Sequence, residues 1–242
     1  MMGAMNNSNS TNINLLMILS CLFTVLIIIS NLIAIKLIQL PFLPNTPIPC
    51  GLLCYPFTFL ISDLVTEIYG EKQARLMVYV AFIMSIISCL FIQLAIYSPT
   101  HPDWVNTYHP FGYSDTISYQ SAFQSFFGLN LFTLASSMAA YILSQILDIR
   151  LFAFFKQITH SRHLWLRNVA STLTSQITDT LIVNLLLLYC ALNMDMQTVI
   201  RICIACYCLK AIFTILSVPL FYGLVNGCRY LIQKKQLVIA SA

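Results

Sequence analysis

Apolar residues occur in long runs along this chain, broken at intervals by prolines, charges or clusters of polar side chains. A bilayer core of about 30 Å needs roughly 20 apolar residues in a helix. By that measure the pattern predicts six membrane spans, at about 15–38, 51–69, 76–97, 126–148, 169–192 and 197–225. Asn31 lies inside the first span and Lys36 near its end. Pro41, Pro44, Pro47 and Pro49 then break the chain into a short connection. A tight charged turn, Gly70-Glu71-Lys72-Gln73-Ala74-Arg75, joins the second span to the third.

The one long loop is 98–125, which has no Lys or Arg but carries Trp104, Tyr108, Tyr113 and Tyr119. That composition suits the membrane–water interface. Ser114 is placed to N-cap a short amphipathic helix running into the fourth span. A basic connector follows that span, with Arg150, Lys156, His160, Arg162, His163 and Arg167.

Composition turns this pattern into a class. The chain is 59% hydrophobic and 8% charged, with mean hydropathy +0.82. Soluble domains carry about 25% charged residues, so a water-soluble globule is excluded. The fold class is an all-α polytopic membrane protein, with one membrane domain at 15–227 between a polar tail, 1–14, and a basic tail, 228–242. The Asn/Ser-rich start lacks the basic region of a signal peptide, so it is expected to be uncleaved and disordered. Nine cysteines sit almost entirely in apolar runs, where they act as small hydrophobes rather than a disulfide framework.

Charge sets the orientation. The second-to-third turn, the fourth-to-fifth connector and the C-terminal tail hold nine of the twelve Lys and Arg residues. The positive-inside rule therefore places both termini in the cytoplasm.

Charges inside the apolar runs are the candidate chemistry, because each costs about 2.5–3.5 kcal/mol at a bilayer centre. Asp179 lies about 18 Å beyond Arg167 along a helix, and Lys210 about 20 Å into the last span. Opposite charges at matching depth invite pairing. Such a pair locks two helices, forms a polar site, or does both with a ligand between. Asp63 and Glu67, four residues apart, share one helix face. Glu67 is within reach of Lys72 or Arg75, whereas Asp63 is deeper. Asn31, Gln145, Gln176 and Asn184 add amides that both donate and accept. Ser144-Gln145-Ile-Leu-Asp148 is echoed by Ser175-Gln176-Ile-Thr-Asp179, for which an old duplication and chance both account.

Enzyme signatures are missing. The chain contains no phosphate loop, no His-Glu-x-x-His and no Gly-x-Ser-x-Gly. Cys203, Cys206 and Cys208 resemble a metal clip, but a helix spreads them over more than one face, and no His is near. No catalytic residue, metal or cofactor is expected.

The stretch Pro56-Phe-Thr-Phe-Leu-Ile-Ser-Asp-Leu-Val-Thr-Glu-Ile-Tyr-Gly-Glu-Lys-Gln-Ala-Arg75 resembles the signature of the queuosine precursor transporter family, also called VUT. The likeness continues through Ala140 to Gln145 and Asp148, Leu164 to Asn168, Ser171-Thr172, Ser175-Gln176 and Asp179-Thr180. The resemblance implies a bacterial inner-membrane importer of 7-deazaguanine bases for tRNA modification, such as preQ0, preQ1 or queuine. It also implies a six-helix fold similar to the substrate-binding components of energy-coupling-factor transporters.

The partners implied are a small nucleobase and the lipid bilayer, with room for a homo-oligomer and none for a nucleic acid. A carboxylate accepts the adjacent N1–H and amine of such a base, and O6 needs a donor. Asp63 or Asp179 fits the first role. Lys210, Gln176 or Asn184 fits the second; Glu67 is a further candidate binding residue, and a second carboxylate would suit an aminomethyl cation. Two other classes stay open: a binding subunit driven by a separate ATP-using module, and a structural membrane protein.

Overall fold

The computed structural model describes residues 2–34, 36–40, 43–101, 103–104, 115–127, 131–160, 163–186, 189 and 195–240. Helix α1 (Met2–Ile33) leads to strands β1 (Leu37–Leu40) and β2 (Leu43–Pro49) and a 3-10 turn, Cys50–Leu53. Helices α2 (Tyr55–Tyr69), α3 (Glu71–Tyr97), α4 (Thr116–Phe127), α5 (Leu131–Ile158), α6 (Leu164–Asn184) and α7 (Met196–Ala240) follow. Among the described residues, five stretches are long and apolar enough to cross a membrane: Ile13–Ile33, Cys50–Tyr69, Glu71–Tyr97, Met138–Ile158 and Met196–Gln233.

Several expectations need correction. The polar start is helical from Met2, so the segment expected to be disordered continues α1. The described residues are almost all helical, in keeping with an all-α class, and the proline-rich connection adds a short antiparallel pair, Ile38 opposite Ile48 and Leu37 opposite Pro49. Two strands have only edges, where prolines without an N–H are tolerated. The helix after the long loop is capped by Asp115, whose Oδ1 accepts from the Ser118 backbone N–H at 2.7 Å. Hydrogen bonds from Ser118 hold this exposed carboxyl below its usual range. Ser114, Tyr108 and Tyr113 lie outside the described residues. Trp104 meets Tyr119 at a tilt, with ring centroids 4.6 Å apart, giving the loop an aromatic cluster.

The last two expected helices also shift. α6 starts at Leu164 rather than near 169, and α7 runs 45 residues without a break at 225. Pro219 sits within α7 on its exposed side.

α2 lies at the centre, with every residue from Thr58 to Glu67 buried. Leu60, Ile61, Leu64 and Val65 of α2 pack with Leu19, Phe23 and Ile27 of α1 and Met77, Val78 and Ala81 of α3. Phe152 of α5 and Phe221 of α7 meet edge to face at 6.2 Å and close the core. The outer faces of α1 and α3 are apolar and exposed, as with Ile18, Leu22, Leu90 and Phe91. Those are faces for lipid.

Entry into α2 depends on a close approach. A Cβ on Gly51 would lie 2.6 Å from the Ser30 carbonyl oxygen, and Ser30 Oγ donates to the Gly51 carbonyl at 3.1 Å. Gly51→Ala is expected to cost about 1–3 kcal/mol through this overpacking. A lowered melting temperature in detergent would register it; an unchanged one would refute it.

Candidate functional site: a polar stripe through the bundle

α6 is built inside out. Its buried residues are Arg167, Asn168, Ser171, Thr172, Ser175, Gln176, Asp179 and Thr180, adjacent pairs recurring every four positions. That spacing lays them along one face. Trp165, Ile177 and Leu181 face outward. The stripe from Arg167 to Asp179 spans about 18 Å at a helical rise. α2, α5 and α7 bring charged partners to it in three groups.

The first group lies at the α2–α3 turn. Arg229 Nη2 approaches Glu67 Oε1 at 2.7 Å, and Lys156 Nζ and Arg167 Nη2 approach Oε2 at 3.0 and 3.3 Å. Lys156 also donates to the Glu67 carbonyl at 2.9 Å. The pairing of Glu67 with Lys72 or Arg75 is therefore corrected. Gly70 reverses the chain at once, so Arg75 finds Glu71 one turn back at 3.5 Å. Glu67 instead shares the buried face of Asp63.

The second group is midway. Asn168 donates its side-chain amide to Asp63 Oδ2, and Thr172 Oγ1 donates to the same oxygen at 3.4 Å. Asp148 of α5 accepts from Ser175 Oγ at 3.1 Å. Thr172 and Ser175, one turn apart on the buried face of α6, bring the Asp63 and Asp148 carboxyls to the same level of the bundle.

The third group lies beyond. Lys210 Nζ reaches Asp179 Oδ2 at 2.6 Å and Thr180 Oγ1 at 3.2 Å, and sits 4.3 Å over the Tyr55 ring. Gln176 Nε2 donates to Thr214 Oγ1 at 3.3 Å, which donates to the Lys210 carbonyl at 2.9 Å. Tyr55 and Tyr141 meet edge to face at 5.5 Å, and Gln145 donates to the Tyr141 hydroxyl at 2.8 Å. Two buried acceptors here, Gln176 Oε1 and Gln145 Oε1, have no hydrogen-bond partner among the described residues, while Asp179 faces the Tyr55 hydroxyl as well as Lys210. Buried polar atoms are nearly always paired, so these two amide oxygens point to a donor that is not part of the chain.

Of the six residues expected from sequence, Asp179, Lys210 and Gln176 come together. Asp63 and Glu67 belong to the other two groups. Asn184 is half-buried at the end of α6, one turn past Thr180. Sequence reasoning passed over Asp148, Tyr55 and Tyr141 as site residues. The echo was the signal for Asp148: its two copies lie against each other, Ser144 Oγ donating to the Ser175 carbonyl at 2.9 Å. The Cys203, Cys206 and Cys208 thiols are half-buried, buried and exposed respectively, so they diverge.

A helical bundle with buried charges threaded along one stripe is the build of a polytopic carrier of polar solutes. Residues 49–224 match the profile of the family described as "Putative vitamin uptake transporter", and the chain belongs to that family. It is 28% identical over 197 residues to the "Probable queuosine precursor transporter" of Bacillus subtilis (strain 168), covering 80% of this chain and 77% of that one. It is 26% identical over 182 residues to the "Queuosine precursor transporter" of Escherichia coli (strain K12), covering 72% and 71%. No solved structure matches it.

Proposed function

We propose that this protein imports queuosine precursors, 7-deazaguanine bases, across the bacterial inner membrane. On this reading it is a carrier and not an enzyme. Six helices span, α1, α2, α3, α5, α6 and α7, with both termini cytoplasmic and a plan like the binding components of energy-coupling-factor transporters. α6 has the length, at 21 residues or about 31 Å, and hides its polar face from lipid.

The observation that carries the reading is the buried Lys210–Asp179 pair with two unpartnered amide oxygens, of Gln176 and Gln145, around the Tyr55–Tyr141 pair. A 7-deazaguanine offers N1–H, an exocyclic amine and a pyrrole N–H, and lacks the N7 acceptor of guanine. Asp179 accepts from N1–H and the amine, Gln176 and Gln145 accept at the remaining donors, and Lys210 donates to O6. The tyrosine rings supply stacking faces. In the closed form Lys210 and Asp179 bond directly, so the base enters by parting them. Glu67 and Asn184 stand outside this contact set.

Proteoliposomes containing only this chain should take up labelled preQ0, and exchange it for unlabelled base. No uptake by correctly inserted protein would sink the proposal. Uptake that appears only with an added ATP-driven module would replace it with the binding-subunit reading.

A further inference from the structure

The middle group is not used by the base, and its charge does not balance. Glu67 has three cations around it and Asp179 has Lys210. Asp63 and Asp148 are both fully buried, and their partners are neutral: Asn168 and Thr172 on one, Ser175 on the other. Each keeps one oxygen, Asp63 Oδ1 and Asp148 Oδ2, with no donor from the described chain. Two fully desolvated carboxyls held by residues one turn apart on α6, with no cation between them among the described residues, favour sharing one proton over carrying two charges. A hydrogen bond between them requires one hydrogen, held by one carboxyl and accepted by the other, as in paired-aspartate sites.

Resting on the transport reading, we infer that the Asp63–Asp148 pair is the proton site of this carrier, taking up one proton with each imported base. Outside, a proton from water forms an O–H bond on one carboxyl and neutralises one of the two charges. Inside, that bond breaks and the proton leaves to water as the base departs. One proton and one base cross per cycle, and no other reactant is needed.

The surroundings isolate this titration. From α2, the nearest other acid is Glu67, one turn on and held by its cations. From α5, Tyr141 lies on one side and Lys156 on the other, the latter committed to Glu67. From α6, Arg167 points to Glu67, and Asp179 is matched by Lys210 of α7. α1 and α3 turn Leu19, Phe23, Ile27, Met77, Val78 and Ala81 into the core, with no buried ionisable group among the described residues. The pair is also set apart from the base: Ser175 lies one turn before Asp179 on the same face of α6, and holds Asp148.

The test uses purified full-length protein in liposomes, with labelled preQ0, which is uncharged. An inward proton gradient should concentrate the base, up to about tenfold per unit of pH difference for one proton. Replacing sodium by choline should change nothing. Asp63→Asn and Asp148→Asn should each retain exchange of labelled for unlabelled base while losing the response to the gradient. Infrared spectra of the wild-type protein should show a protonated carboxylic C=O band that disappears on raising pH, and that either variant removes.

Wild-type exchange with no response to the gradient, or a response to sodium alone, overturns the proton site and leaves the transport reading standing. Absence of the titrating band overturns it even if neither variant folds. Failure of wild-type exchange itself would strike the transport reading instead.

Discussion

Lys210→Met is expected to abolish uptake of a labelled 7-deazaguanine base and also to destabilise the protein. The ammonium is buried and bonded to Asp179 at 2.6 Å, so its removal strands a carboxylate away from water. Breaking a buried pair from one side costs about 3–5 kcal/mol. That alone does not establish a transport role, which the double variant separates. Asp179→Asn with Lys210→Met leaves no unpaired charge and should recover most of the lost stability. It should not recover uptake, because the acceptor for N1–H and the donor to O6 are both gone, and sites built on such pairs discriminate by large factors. A double variant that transports at the wild-type rate would reduce the pair to a helix clamp. Melting in detergent beside uptake at matched membrane abundance reads both quantities.

Glu67→Gln should be the most damaging single change for the fold. Arg167 is nearly fully buried, and Glu67 is its counter-charge at 3.3 Å. Neutralising the carboxylate leaves the guanidinium inside without its counter-charge, with the centroid of the Phe152 ring 5.6 Å from it. The expected loss is about 3–5 kcal/mol, seen as a much lower melting temperature and reduced membrane abundance. Arg229→Ala is the contrast. Its side chain is 55% exposed, so despite a 2.7 Å contact its loss should cost no more than about 1 kcal/mol. Equal melting of Glu67→Gln and wild type would show that the group is incidental.

Much of the fold was legible because apolar run length translates directly into helix. α2 and α3 come within a few residues of their expected places for that reason. The hairpin was hidden by its prolines, which read as breakers although edge strands admit them. α6 was misplaced because its buried face is polar and its outer face apolar, the reverse of the pattern used to find helices in water-soluble folds. The site was half legible. Depth counted along two helices matched Asp179 to Lys210, since opposite charges at one level must find each other. The same reasoning cannot find Asp63 with Asp148. Formal charges advise keeping them apart, and the hydrogen that joins them is not written in a sequence.

The contact between Ser144 and Ser175 has a further consequence. Two small residues let the backbones of α5 and α6 cross closely, as small side chains do in membrane bundles. On α5, Tyr141 lies to one side of this crossing and Asp148 to the other. On α6, Asp179 and Thr172 are divided in the same way. The serines thus mark the crossing point that keeps the Lys210–Asp179 pair and the two carboxyls on opposite sides of one helix contact, so lengthening either side chain would part both groups at once.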